Sequence, residues 1–151
     1  MSNMLPRDVD FRIPMQGKYV SFVRRAIRSF AGDSGFTERQ CQDLEVAVGE
    51  AVTNAVLYGQ PENGSGAVNI HCKLTSHQLV VDVEDESRST CVPTPGELPD
   101  ADDEHGRGWL LMRSLMDKVS VQCTNRGLLV RMTKRRNPGN TASLCALAAI
   151  L

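Results

Sequence analysis

The sequence predicts an α+β fold, a two-layer α/β sandwich in which helices cover one face of a mostly antiparallel, mixed sheet. Three observations predict it. Apolar residues alternate with polar ones near both ends of the chain, two runs of helical periodicity lie between the first strand and the next, and the element order is β, α, α, β, β, loop, α, β, β. A chain of 151 residues, 41% of them hydrophobic, can bury one ordinary core. One domain is expected over residues 1–136, followed by a C-terminal tail, 137–151, of unknown role. There is no internal repeat.

Residues 8–13 set Val9, Phe11 and Ile13 against Asp10 and Arg12, the period of a half-buried strand, and Pro14 ends it. From Lys18 to Phe30 the apolar positions Tyr19, Phe22, Val23, Ala26, Ile27 and Phe30 recur at three- and four-residue steps. Arg24, Arg25 and Arg28 fall elsewhere on that wheel and form a basic face, whose ordinary meaning is a solvated helix surface. After the break from Gly32 to Gly35, Thr37 and Gln40 spell a capping box, so a second helix starts there. Leu44, Ala47, Val48, Ala51, Val52, Ala55 and Val56 carry it to about Tyr58, and Gly59, Pro61 and Gly64 end it.

Two alternating runs follow, Val68 to Leu74 and Leu79 to Val83, separated by Thr75 to His77, which reads as a hairpin. Residues 87–105 hold three prolines and the acidic run Asp100, Asp102, Asp103, Glu104. A loop of that length within a compact domain is often a lid over a site. A short helix is expected from Trp109 to Asp117, with Trp109 as a core anchor. Strands around Val119 to Cys123 and Leu128 to Thr133 then pair through Asn125 to Gly127.

Composition excludes several function classes. Seventeen Lys plus Arg stand against eighteen Asp plus Glu, a net charge of -1, so no positive field is available to hold nucleic-acid phosphates. No two of the five cysteines lie closer than nineteen residues, which excludes metal or redox spacing of the CxxC type. Most are expected to be reduced core thiols, Cys72 and Cys123 within strands. No signal-peptide pattern and no apolar run of bilayer length is present, so the expected location is the cytoplasm, without a membrane partner.

The chemistry concentrates at three places. Glu50 and Asn54, four residues apart on the second helix, project from one face one turn apart. The carboxylate can take a proton from an attacking hydroxyl or water, and the amide carbonyl can complete the shell of a hard cation such as Mg²⁺. Both sit among Val48, Ala51, Val52 and Ala55, where a carboxylate needs a reason. Asp85 follows a strand, where it can accept a hydrogen bond from an adenine amino group or simply form a turn. Gly106, Arg107 and Gly108 open the third helix, where bare amides and the positive helix end can receive phosphate.

In order and spacing these pieces resemble the GHKL (Bergerat-fold), histidine-kinase-like ATPases and, within them, the anti-sigma-factor serine/threonine kinases. The resemblance covers roughly residues 8–135. Glu50-Ala-Val-Thr-Asn54-Ala-Val matches the family's N box, and Val83-Glu84-Asp85-Glu86 its first glycine box as far as the Asp. His105-Gly106-Arg107-Gly108-Trp109-Leu110-Leu111-Met112 matches the second glycine box, with Met116-Asp117-Lys118-Val119 as its continuation. Phe22-Val23-Arg24 resembles a segment whose Arg contacts partner proteins.

The resemblance implies ATP and Mg²⁺ as cofactors, bound between helices and sheet. It implies Glu50 as catalytic base, Asn54 as the residue holding Mg²⁺ through ATP, and Asp85 as the adenine selector. Ser87, Ser89, Gly106, Arg107 and Gly108 would line the nucleotide, under a lid formed by residues 87–105. The implied reaction is transfer of the γ-phosphoryl group to a Ser or Thr of a STAS-type anti-sigma-factor antagonist. The other implied partner is a sigma factor, with Arg24 at the partner surface and a homodimer as a further implication. His71, His77 and His105 have no ligand spacing, so no metal site beyond nucleotide-bound Mg²⁺ is expected.

The chain departs from the family pattern Asp-x-Gly-x-Gly at both glycines, which are Ser87 and Ser89. If either position requires φ > 0, a Cβ costs about 1 kcal/mol or more. Residue 128, where the family carries Thr, is Leu, and Tyr58 stands where these kinases often carry His. Three function classes therefore stand at this point: a protein serine kinase that is also an anti-sigma factor, a degenerate nucleotide-poor module that sequesters a partner, and an ATP hydrolase.

Overall fold

A computed structural model describes residues 6–61, 64, 66–88 and 104–136. The tail 137–151, Ser89 and most of the expected lid lie outside the described residues. Five strands, β1 (Arg7–Pro14), β2 (Ala67–Leu74), β3 (Gln78–Glu84), β4 (Lys118–Cys123) and β5 (Leu128–Arg135), form one sheet in the order β1-β2-β3-β5-β4. All four pairings are antiparallel, so the expected mixed character is not seen among the described residues. Both expected hairpins form, and β5 returns to lie between β3 and β4.

Three helices, α1 (Val20–Asp33), α2 (Glu38–Tyr58) and α3 (Glu104–Leu115), accompany the sheet, and a 3-10 turn at Gly17–Tyr19 leads into α1. Each strand presents alternate side chains to the helices. Val68, Ile70, Cys72 and Leu74 of β2, Leu79, Val81 and Val83 of β3, and Val130 and Met132 of β5 are buried together with Val23, Ile27, Leu44, Val48, Val52, Trp109 and Met112. α2 is central, touching α1, α3 and strands β2, β3 and β5. Its small residues Ala47, Gly49, Ala51 and Ala55 are all buried, which permits this close packing on several sides.

The α2 start forms as the sequence predicts. Thr37 Oγ1 accepts from the Gln40 N–H at 3.1 Å, and Gln40 Oε1 accepts from the Thr37 N–H at 3.0 Å. Gln40 Nε2 also donates to the Arg135 carbonyl at 3.0 Å, so the cap ties α2 to the last strand. Lys134 adds a second tie, donating to Asp43 and to the Leu115 carbonyl. Thr37→Ala is expected to destabilise the fold by about 1 kcal/mol, seen as a melting temperature lower by roughly 2–4 °C in a calorimetric scan.

Three details differ from the sequence reading. β1 includes Pro14, which an edge strand tolerates because its outer N–H needs no partner. α3 begins at Glu104, five residues before Trp109, so the glycines that lower helix propensity lie inside its first turns. Tertiary packing of Trp109 and Met112 against α2 outweighs that propensity; both are buried, Trp109 as the expected core anchor. Cys123 is half-buried on the edge strand and disulfide-bonded, whereas Cys41 and Cys72 are buried free thiols. Burial, assisted by the charges of Asp10 and Asp82, pushes the Cys72 thiol up to about 12, which keeps it protonated and unreactive. Among the described residues, no helix is long and apolar enough to cross a membrane.

Candidate functional site

The C-terminal half of α2 builds the site. Glu50 and Asn54 share one face, and that face looks at Gly108 in α3. A Cβ added at Gly108 would lie 3.1 Å from Glu50 Oε2, 3.5 Å from Asn54 Nδ2 and 3.8 Å from Asn54 Oδ1. Thus the structure brings together two motifs separated by more than fifty residues in the chain. Glycine at 108 keeps open the space that any side chain would fill.

Neither polar side chain is used up by the fold. Glu50 is half-buried, and its carboxylate accepts no hydrogen bond and joins no ion pair among the described residues. Asn54 Nδ2 is buried and has no hydrogen-bond partner. A buried amide left unsatisfied is costly unless something else completes it. An orphaned amide and a free carboxylate beside a cleared glycine fit an oxygen-rich ligand carrying Mg²⁺, since carboxylate and amide oxygens are the donors such hard cations take.

Asp85 lies farther along the same helix, beyond its end. Gly59 caps α2, about 7.5 Å along the axis from Asn54 at 1.5 Å per residue. A Cβ at Gly59 would fall on the Asp85 side chain, 2.5 Å from Oδ2, and one at Gly127 would fall on Asp85 Oδ1 and 2.6 Å from the Ser87 nitrogen. Two glycines, one from a helix end and one from the β4–β5 turn, thereby enclose one carboxylate. Asp85 is only 6% exposed. Its Oδ1 accepts from the Ser87 N–H at 3.0 Å, the Ser87 hydroxyl at 2.6 Å and the Leu128 N–H at 2.8 Å. Among the described residues Oδ2 accepts no hydrogen bond.

Two of the departures from the family pattern, at Ser87 and Leu128, thus meet at one oxygen. Leu128 contributes a backbone N–H, and Ser87 contributes a hydroxyl. No non-glycine residue among those described has φ > 0, so Ser87 carries none of the backbone strain that a forced left-handed conformation would impose. Ser89 lies outside the described residues.

The second glycine box behaves differently from its sequence reading. Because α3 starts at Glu104, Gly106 is its third residue, within the first turn, where amides have no intrahelical acceptor, whereas Arg107 and Gly108, its fourth and fifth residues, lie past those amides. Gly108 therefore offers room, whereas of the three only Gly106 keeps a bare amide for phosphate. Arg107 is exposed.

The three arginines of α1 separate in the structure. Arg25 is exposed, while Arg28 pairs with Glu38 and with Glu45 at 2.7 Å, bridging to α2. Arg24 is half-buried and lies across Gly49, where a Cβ would be 3.0 Å from its Cζ, and its Nε is buried without a partner. It is not part of a solvated face. Sequence reasoning missed the roles of Gly49, Gly59 and Gly127 in making room for Arg24 and Asp85. Their only signal in the sequence is their residue type.

Comparison with known proteins shows the family. Residues 13–134 match the family model described as histidine kinase-like ATPase domain. The chain is 35% identical over 138 residues to the serine-protein kinase RsbW of Bacillus subtilis, covering 85% of this chain and 86% of that protein. It is 31% identical to the protein of the same name from Staphylococcus aureus, covering 83% and 85%. Among solved structures, the RsbU and RsbW domains of Rv1364c from Mycobacterium tuberculosis superpose with a TM-score of 0.65 at 17% identity, covering 85% of this chain and 32% of that longer one. The histidine kinase domain of the Erythrobacter litoralis EL346 blue-light activated kinase gives 0.56 at 21% identity, covering 85% and 64%. These two structures share the fold. By family model and by sequence identity across most of its length, the chain belongs to the histidine kinase-like ATPase domain family, among relatives named serine-protein kinase RsbW.

Proposed function

We propose that this chain is an anti-sigma factor and protein serine kinase of a partner-switching system, one that transfers the γ-phosphoryl group of ATP to a Ser or Thr of a STAS-type antagonist. The observation that carries this reading is the meeting of Glu50, Asn54 and Gly108 along the C-terminal half of α2, with a buried carboxylate, Asp85, held between two glycines just beyond the C-terminal end of that helix. Family membership and RsbW relatives support it further.

Each residue then has a stated task. Asp85 Oδ2 accepts from the adenine amino group, fixing the base beside Gly59. Asn54 holds Mg²⁺ through its amide oxygen, and Mg²⁺, when bound, offsets the negative charge of the phosphate oxygens. The Gly106 amide and the positive end of α3 receive phosphate, with the Arg107 guanidinium exposed at the same helix start. Glu50, free of other partners, takes the proton of the attacking hydroxyl. Arg24, half-buried across Gly49, is the α1 residue that this reading places at the surface for the sigma factor or antagonist. A homodimer, paired through the first helix and adjacent sheet, belongs to the same reading. The cytoplasm, where sigma factors act, is the location this reading requires.

Calorimetric titration of Mg·ATP into the full chain tests the reading. Micromolar binding is expected, weakened at least about tenfold by Asn54→Ala and by Asp85→Asn, because each removes an acceptor that a buried ligand donor or cation would then lack. Absence of binding by the unsubstituted protein would replace this reading with that of a nucleotide-poor module that sequesters its partner.

A further inference from the structure

We infer that Ser87 is a positioning residue, whose hydroxyl orients the Asp85 carboxylate so that Oδ2 alone faces the ligand and selects a purine bearing a 6-amino group; this rests on the nucleotide-site reading above. The terminal torsion of an Asp side chain is broad and roughly two-fold, so the side chain has little intrinsic preference for which oxygen points inward. Three donors from two strand ends remove that freedom. The Ser87 hydroxyl at 2.6 Å is the shortest, joined by the Ser87 N–H at 3.0 Å and the Leu128 N–H at 2.8 Å, all on Oδ1. Asp85 is 6% and Ser87 4% exposed, so turning Oδ1 away would strand donors that water cannot reach.

The consequence falls on Oδ2. It lies against Gly59 with no hydrogen bond among the described residues, and an ionised carboxylate oxygen only accepts. It attracts an N–H donor and repels a carbonyl oxygen, which distinguishes a 6-aminopurine from a 6-oxopurine. The hydroxyl reaches Oδ1 from a backbone that is not left-handed, so nothing in the local conformation opposes it. Reverting position 87 to the glycine of the family pattern therefore removes a useful group.

The test uses the full chain, with Mg·ATP and Mg·ITP as probes in calorimetric titration of the unsubstituted protein, Ser87→Gly and Ser87→Thr. Ser87→Gly is expected to weaken ATP binding roughly tenfold, the usual scale for losing a buried hydrogen bond to a charged group, while ITP binding changes less than about twofold. The ATP to ITP preference then falls roughly tenfold, and Ser87→Thr, which keeps a hydroxyl, stays within about threefold of the unsubstituted protein for ATP. Glycine at this position folds without steric conflict, and a purely structural loss would lower both affinities together. ATP bound as tightly by Ser87→Gly, or equal losses for ATP and ITP, would overturn the inference and leave the nucleotide site standing. Failure of the unsubstituted protein to bind ATP would overturn both.

Discussion

Glu50→Gln is expected to reduce phosphoryl transfer to the antagonist by about 10²- to 10⁴-fold, the range typical of a lost general base, while ATP binding stays within about threefold. Glutamine has nearly the same shape as glutamate but cannot take a proton at neutral pH. The Glu50 carboxylate makes no hydrogen bond or ion pair among the described residues, so the exchange breaks no contact of the fold. Single-turnover transfer of labelled phosphate from ATP, run beside calorimetric ATP titration, separates the two effects. Transfer surviving within about tenfold would remove Glu50 from the base role. Loss of ATP binding together with transfer would instead make Glu50 part of the nucleotide cradle.

Gly127→Ala is expected to cost the protein both its nucleotide and part of its stability. The added Cβ would fall on Asp85 Oδ1, 2.6 Å from the Ser87 nitrogen and 2.7 Å from the Asp85 carbonyl oxygen. Two of those neighbours are backbone, which gives way only if the strand end moves. Overpacking of this kind typically costs about 1–3 kcal/mol, a fall of roughly 2–4 °C in melting temperature for each kcal/mol. Because the strain centres on Asp85, ATP affinity is expected to fall at least about a hundredfold, equivalent to about 2.7 kcal/mol. Gly32→Ala is the control: a Cβ there meets nothing within 4 Å, and alanine is the better helix former within α1. Its melting temperature should hold or rise, with ATP binding unchanged. A Gly127→Ala protein that melts and binds ATP like the unsubstituted one would contradict the enclosure of Asp85 between two glycines.

Much of the site was legible in the sequence, though not its construction. The spacing of Glu50 and Asn54 on one helix face and the placing of Asp85 after a strand follow from local periodicity, and the structure agrees with both. The serine at 87 looked like a loss when compared with a glycine pattern. In the structure its hydroxyl is the closest donor to Asp85 Oδ1. The three arginines of α1 read as one basic face, yet one is exposed, one bridges two glutamates and one lies across Gly49. α3 read as a short helix from Trp109, opened by Gly106 to Gly108, whereas in the structure it packs against α2 and begins at Glu104.

Periodicity and turn residues alone carry the helices and strands, the capping box at Thr37 and Gln40 and the hairpin turns. These depend on groups within a few residues of one another, whose geometry a helix or strand repeats identically wherever it occurs. The tertiary structure decides the insertion of β5 beside β3, the clearing of space by Gly108 in front of Glu50, the glycine enclosure around Asp85 and the partner of the Ser87 hydroxyl. Each of these is a contact between segments far apart in the chain, made only when burial of the common core fixes their distance.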